Sequence, residues 1–154
     1  MDRVYREQLF HGLSLEAIES IEGMGESGMS LSLRAHPTSD RLLPGSPVTW
    51  TVDPLVLDGV FQALIVWCRA HVGAPSLPSQ IGSLRLFAPT RTTRVRAVVR
   101  VQAASGAVVT SDVDLLDDHG QLLVRLERFM CTASASLQRA FSPESAVVAP
   151  LPTA

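Results

Sequence analysis

The chain has 154 residues, 46% of them apolar and 18% charged, with a formal net charge of −2. That composition fits one domain with a real core and excludes both a disordered chain and the basic footprint of a nucleic-acid binder. The charged start MDRVYREQLFHG is no signal peptide, and the longest apolar run, Val60–Trp67, is interrupted by Gln62 and falls far short of the ~20 residues that cross a bilayer; a soluble, cytoplasmic protein with no membrane partner is expected.

Residues 1–17 mix charges with Tyr5, Leu9, Phe10, Leu13 and Leu15 and read as an extended lead-in with a turn or helical turn. Gly23, Gly25 and Gly28 around Glu26-Ser27 mark a hairpin turn. Met29, Leu31 and Leu33 then alternate with Ser30, Ser32 and Arg34, the period of a half-buried strand. Residues 36–49, with three prolines and a glycine, form a loop. Asp53-Pro54 is a helix start, an N-cap acceptor followed by a proline that tolerates the first turn. The helix predicted from Pro54 to about Val72 is apolar nearly all round, so it is buried on most sides; Gly73-Ala74-Pro75 ends it.

Strands are predicted at Ile81–Phe87, Arg94–Val101, Ala107–Leu116 and Gln121–Cys131, with turns at Ser105-Gly106 and Asp117–Gly120. From Ser134 the chain turns rich in Ala, Ser and Pro; residues 136–154 read as a linker behind a domain of residues 1–135. All thirteen basic residues are Arg, a coding bias with no functional content. Cys68 and Cys131 lie in apolar stretches outside any metal-ligand spacing and read as buried, reduced thiols, with no metal implied. One buried helix among antiparallel strands is an α+β order in which the sheet must curl around the helix; that describes a hotdog fold, while periodicity alone leaves other α+β folds open.

Four segments, in order, sharpen this. Asp53-Pro54-Leu55-Val56-Leu57-Asp58-Gly59-Val60-Phe61-Gln62 resembles the DP-x-x-LD-x-x-x-Q segment that opens the helix in the second hotdog of synthase dehydratase domains. Phe10-His11-Gly12 resembles the opening motif of that half, Leu77-Pro78-Ser79-Gln80-Ile81 its LP-x-x-I stretch, and Asp114–Gly120 its D-x-x-LxD-x-x-G hairpin. The chain thus resembles the C-terminal half of a dehydratase domain from polyketide or polyunsaturated-fatty-acid synthases. Leu13-Ser14-Leu15-Glu16 departs from the Pro and aromatic-Gln pair that usually follow Gly12. No histidine starts the H-x-x-x-G-x-x-x-x-P motif of the first half. Because the chain begins where a second hotdog begins, residue 1 reads as a boundary and not as a natural start.

The resemblance implies loss of water from a β-hydroxyacyl group carried on the phosphopantetheine of an acyl carrier protein, with no further cofactor. A His of the first half takes the α-proton, and Asp58 assists departure of the hydroxyl. Gln62, one turn on and on the same helix face, holds the carboxyl or the leaving water. His11, Gly12, Phe61 and Pro78 become substrate-binding candidates. Apolar helix faces favour an Asp58 that keeps a proton and the helix N-terminus favours the anion; the sequence leaves that balance open. On spacing alone, Asp58 and Gln62 read as a satisfied polar pair in a packed helix; the resemblance turns that reading towards a site.

His36 and His119 read as solvated, and His71 as a cation-tolerant residue at a helix C-terminus. Trp50 and Trp67 read as core or interface. Arg94, Arg96 and Arg100 read as a solvated strand face or, alternatively, a docking patch for an acidic carrier protein. Partners implied are the carrier protein and other synthase domains or an upstream hotdog half, with a second copy of the chain (a homodimer) as the alternative. Two further readings remain: a non-catalytic dehydratase-like structural or docking domain, and a freestanding hotdog thioesterase.

Overall fold

In a computed structural model of the protein, which describes residues 1–36, 38 and 49–140, six antiparallel strands form one sheet around a long helix. The elements in chain order are α1 (Asp2–Glu7), a 3-10 turn (Leu13–Leu15), β1 (Ile18–Gly25), β2 (Gly28–Arg34), α2 (Pro54–His71), β3 (Ser76–Leu86), β4 (Arg94–Ser105), β5 (Val108–Leu116), β6 (Leu122–Ala133) and α3 (Leu137–Ala140). Spatially the strands run β1-β2-β4-β5-β6-β3, so β1 and β3 are the edges. This is the α+β hotdog architecture expected from the sequence. Most of the expected linker, 136–154, and most of the expected loop, 36–49, lie outside the described residues.

Helix α2 forms where its start and stop signals place it. Asp53 caps it, its carboxylate accepting the Leu55 N–H at 2.9 Å and the His36 N–H as well. The second bond ties the helix start to the end of β2. Asp53 is fully buried. Burial pushes its carboxyl up, against the pull of the backbone N–H groups of His36, Leu55 and Val56.

Leu55, Val56, Val60, Leu64, Ile65 and Trp67 are buried against the inner sheet face, where Leu31, Leu33, Val95, Ala97, Val113, Leu126 and Phe129 form the other side of the core. Gly59 lets the helix close on the sheet. A Cβ there would lie 2.9 Å from the Ala17 Cβ and from a Leu33 methyl. Cys68 and Cys131 are free and buried, their sulfurs 3.7 Å apart. The Trp67 indole donates to the Gly25 carbonyl at 2.9 Å, a core role in line with the sequence reading.

The structure departs from the sequence expectation at three places. The lead-in opens with a helical segment, α1, where an extended run was expected, while its expected turn is the 3-10 turn. The hairpin's first arm is a full strand, β1. Strand β3 begins at Ser76, five residues before Ile81, and so contains Pro78. An edge strand tolerates proline, and the pairing shifts there: Pro78 faces Cys131 and Gln80 faces Met130, with Ser79 as the extra residue of a bulge.

The arginines of β4 do not form a bare basic patch. Arg94 pairs with Glu19 at 2.9 Å, Arg96 with Glu22 at 2.8 Å and Arg100 with Asp114 at 2.7 Å. Asp114 also takes Arg125 at 2.6 Å. Burial raises the Asp114 carboxyl, but the two guanidinium bonds outweigh it and hold it below the usual range.

Candidate functional site

Asp58 and Gln62 lie one turn apart on α2, and the Gln62 Nε2 donates to Asp58 Oδ2 at 2.7 Å. Gln62 is fully buried; the Asp58 side chain is 31% exposed. The same Nε2 donates to the Leu15 carbonyl at 2.7 Å. On the other side of the amide, the Tyr5 hydroxyl donates to Gln62 Oε1 at 2.7 Å while accepting the Ile18 N–H at 2.6 Å. Each direction in this chain is forced. Ile18 N–H can only donate, so the Tyr5 proton goes to Gln62 Oε1, and the amide N–H groups are left for Leu15 and Asp58. Burial pushes the Tyr5 phenol up to about 12, which keeps that proton in place at neutral pH. The result is a carboxamide with no freedom to flip, aiming a donor at one carboxylate oxygen.

His11 completes the cluster. Its side chain is 7% exposed, with Nε2 3.4 Å from Asp58 Oδ2. Its Nδ1 is buried and meets no hydrogen-bond partner. The Phe10 ring stacks on the imidazole at 4.3 Å. Burial lowers His11 below its ordinary range, against the opposing pull of the Asp58 carboxylate. A cleft of about 450 Å³ opens beside it, lined by Tyr5, Arg6, His11, Gly12, Leu13 and Glu16, within the size range of small-ligand sites. Gly12 caps the 3-10 turn, with open space where a Cβ would stand.

Of the residues singled out from sequence, then, Asp58, Gln62, His11 and Gly12 come together. Phe61 turns to the core, its ring 5.2 Å from Phe129, and Pro78 sits in the edge strand β3. His119 and His71 are exposed; the His71 ring stacks on Trp67 at 4.6 Å. Tyr5, which orients Gln62, carries no signal in the sequence beyond being the single tyrosine in a charged lead-in. Among the described residues no three His, Cys, Asp or Glu side chains cluster as metal ligands, and no helix is long and apolar enough to cross a membrane.

A family model described as the polyketide synthase dehydratase N-terminal domain matches residues 2–140. The chain belongs to the polyketide synthase dehydratase family. A stretch of 74 residues is 35% identical to a polyunsaturated fatty acid synthase protein of Thraustochytrium sp. (strain ATCC 26185 / S-3), covering 47% of this chain and 3% of that protein. The dehydratase domain from the CurJ module of curacin polyketide synthase superposes with a TM-score of 0.66 at 17% identity, over 91% of this chain and 48% of that one. A GphF dehydratase variant gives 0.67 at 21% identity, over 86% and 48%. The E. coli PaaI protein from the phenylacetic acid degradation operon gives 0.58 at 12% identity, over 75% and 78%. These structural likenesses establish the hotdog fold. The chain spans about half the length of the dehydratase domains it matches and a small fraction of the polyunsaturated fatty acid synthase.

Proposed function

We propose that this dehydratase-family chain, although it matches a model described as the N-terminal domain, is the second, carboxyl-bearing hotdog half of a domain that removes water from β-hydroxyacyl thioesters on an acyl carrier protein; the Asp53–Gln62 and Phe10–Gly12 motifs and the lack of an H-x-x-x-G-x-x-x-x-P histidine support that half. The observation that carries this reading is the forced hydrogen-bond chain ending at Asp58 Oδ2. A merely satisfied polar pair needs no third and fourth member to fix its direction. A reacting carboxyl does, because its free oxygen must stay aimed at the substrate hydroxyl. Asp58 assists the departing hydroxyl and Gln62 orients Asp58. The acyl group arrives on phosphopantetheine, whose thioester acidifies the α-proton, so the reaction needs no other cofactor.

The other half docks along β3. That edge strand exposes Leu77, Ile81, Leu84 and Leu86, with Phe87 just beyond, apolar side chains on both faces of an edge suited to pairing with a second strand. The matched dehydratase chains are twice as long as this one, room for one further unit of this size. The role of acyl carrier protein and neighbouring synthase domains as partners follows from the same reading.

The test is Asp58→Asn in the synthase that carries this chain, with product read by mass. The expected result is a product that keeps its hydroxyl, from a dehydration rate roughly 10²–10⁴-fold lower. An unchanged product would mean that the domain serves packing or carrier docking, and thiol release from acyl thioesters by the chain alone, abolished by Asp58→Ala, would mean a thioesterase.

A further inference from the structure

The chain has two cysteines, Cys68 and Cys131. They stand 63 residues apart in sequence, one in the last turn of α2 and one in β6, and their sulfurs meet at 3.7 Å in the core. Both are free and buried. Dehydration uses neither of them, and a small apolar side chain would fill either position.

The surroundings suit a pair that reacts. A disulfide bond is about 2.05 Å long, so the sulfurs have roughly 1.7 Å to close, a distance that side-chain rotation covers. The bond from the Cys68 thiol, helped by the Ser76 hydroxyl and opposed by burial, brings Cys131 down to about 7. Cys68 goes the other way, pushed up by the same contact and by burial. One sulfur is thus the donor and the other the thiolate, and a thiolate is the nucleophile of thiol chemistry. Both elements are weak where the cysteines sit. The Cys68 carbonyl takes the Val72 and Gly73 N–H groups that end α2, and helix ends fray. Cys131 faces Pro78 of the open edge strand, and a proline has no N–H to give the ladder; the Ser79 bulge follows at once. Local opening of this corner admits a small oxidant without unfolding the domain.

We propose that Cys68 and Cys131 are a modification site, closing to a reversible internal disulfide with hydrogen peroxide as the oxidant. In the first step the Cys131 thiolate attacks one peroxide oxygen. An S–O bond forms, the O–O bond breaks, and the leaving hydroxide takes up a proton to become water. In the second step the Cys68 sulfur attacks Cys131. The S–S bond forms, the S–O bond breaks, and the oxygen departs as water with the Cys68 proton. Two thiols have lost two electrons, and one peroxide has become two waters. The bond pins the last turn of α2, the helix that carries Asp58 and Gln62, to β6. A thiol reductant reopens it, so where thiols are kept reduced the pair is a sensor and not a permanent staple. The bond forms whichever reaction Asp58 serves.

The test treats the intact, reduced chain with hydrogen peroxide near neutral pH, alkylates it, digests it without reductant and maps the peptides by mass. The expected product joins the Cys68 and Cys131 peptides within one chain and is undone by dithiothreitol. The oxidised chain is expected to melt roughly 5 °C or more above the reduced one, because the bond closes a long loop of the unfolded chain. Oxygen added to either sulfur in place of the cross-link, a cross-link between two chains, or thiols that stay free until the chain unfolds would overturn the proposal. An oxidised chain that melts at or below the reduced one would do the same. Cys68→Ser, which keeps a donor beside Cys131, separates the two steps: Cys131 is then expected to stop at the sulfenic acid and to be trapped by dimedone. A Cys131 that stays a thiol in that variant would remove it as the nucleophile and the proposal with it.

Discussion

The two edges of the sheet solve opposite problems. Strand β1 is shut to further pairing: its register slips at two points, between Ile18 and Ser20 and between Ile21 and Gly23, and its outward face carries Glu19 and Glu22, which reach over β2 to Arg94 and Arg96. Bulges and charges are how a sheet ends without recruiting another strand. Strand β3 is long, with 11 residues, and its exposed side chains include Leu77, Ile81, Leu84 and Leu86. The same chain therefore protects one edge and leaves the other open. The protected edge is also the one beside the site: Ala17 and Ile18, where β1 starts, pack on Gly59 and fix Tyr5. A site that depends on a forced hydrogen-bond chain belongs on the edge that does not exchange partners.

The sharpest way to break the comparison is at the hairpin that closes the β1 edge. Gly28 has a φ of +138°, and a Cβ there would stand 2.0 Å from the Val99 carbonyl oxygen. Gly28→Ala combines a strained backbone with a clash against backbone that has nowhere to go. It is expected to cost about 3 kcal/mol or more and to push the hairpin end of β2 away from β4. Denaturant unfolding gives the first number, and faster amide exchange of Val101, whose N–H donates to the Ser27 carbonyl at 2.9 Å, gives the second. A Gly28→Ala protein with native stability would mean that the hairpin is not what holds this edge. Next in size is the open edge. Ile81→Arg with Leu84→Arg is expected to leave the fold of the chain unchanged while weakening association with a partner half, or a second copy, by roughly 30-fold or more, as measured by light scattering and titration. Equal association by the variant would place the partner elsewhere on the sheet.

The same two edges mark where the sequence was legible and where it was not. Asp53-Pro54 and Gly73 bounded α2 because capping is local chemistry, and the Asp58–Gln62 spacing follows from the helix period alone. Strand β1 was hidden because Glu19 and Glu22 break its apolar alternation, and the charges that hide it are the ones that seal the edge. The early start of β3 was hidden because Pro78 argues against a strand unless the strand is an edge with a bulge, which only the pairing partners disclose. Tyr5 lies 57 residues from Gln62 in the chain, and His11 needs both α2 and the 3-10 turn to reach Asp58; no local pattern encodes either contact. The family motifs pointed to Asp58 and Gln62 as one pair on α2 and to His11 apart from it, and the structure brings the His11 ring to 3.4 Å from Asp58.

The smallest expected effect lies in the charges of the β1 edge, and its smallness is informative. The Glu22 and Arg96 side chains are 37% and 54% exposed, so their ion pair is screened by water and salt and is worth about 0–1 kcal/mol. Glu22→Gln should barely move the unfolding midpoint, and what it does move should vanish in high salt. If the charges serve the edge and not the fold, the consequence appears elsewhere. With Glu22→Gln and Glu19→Gln together, Arg94 and Arg96 lose their carboxylate partners, and β1 loses the acidic face that repels another strand while keeping its bulges. Self-association by sedimentation at low salt is then expected to rise slightly, by far less than the loss produced by charging β3. A large drop in stability from the same pair of substitutions would instead make Glu19 and Glu22 part of what holds the hairpin to β4, and the two edges would differ in how they are built and not in what they exclude.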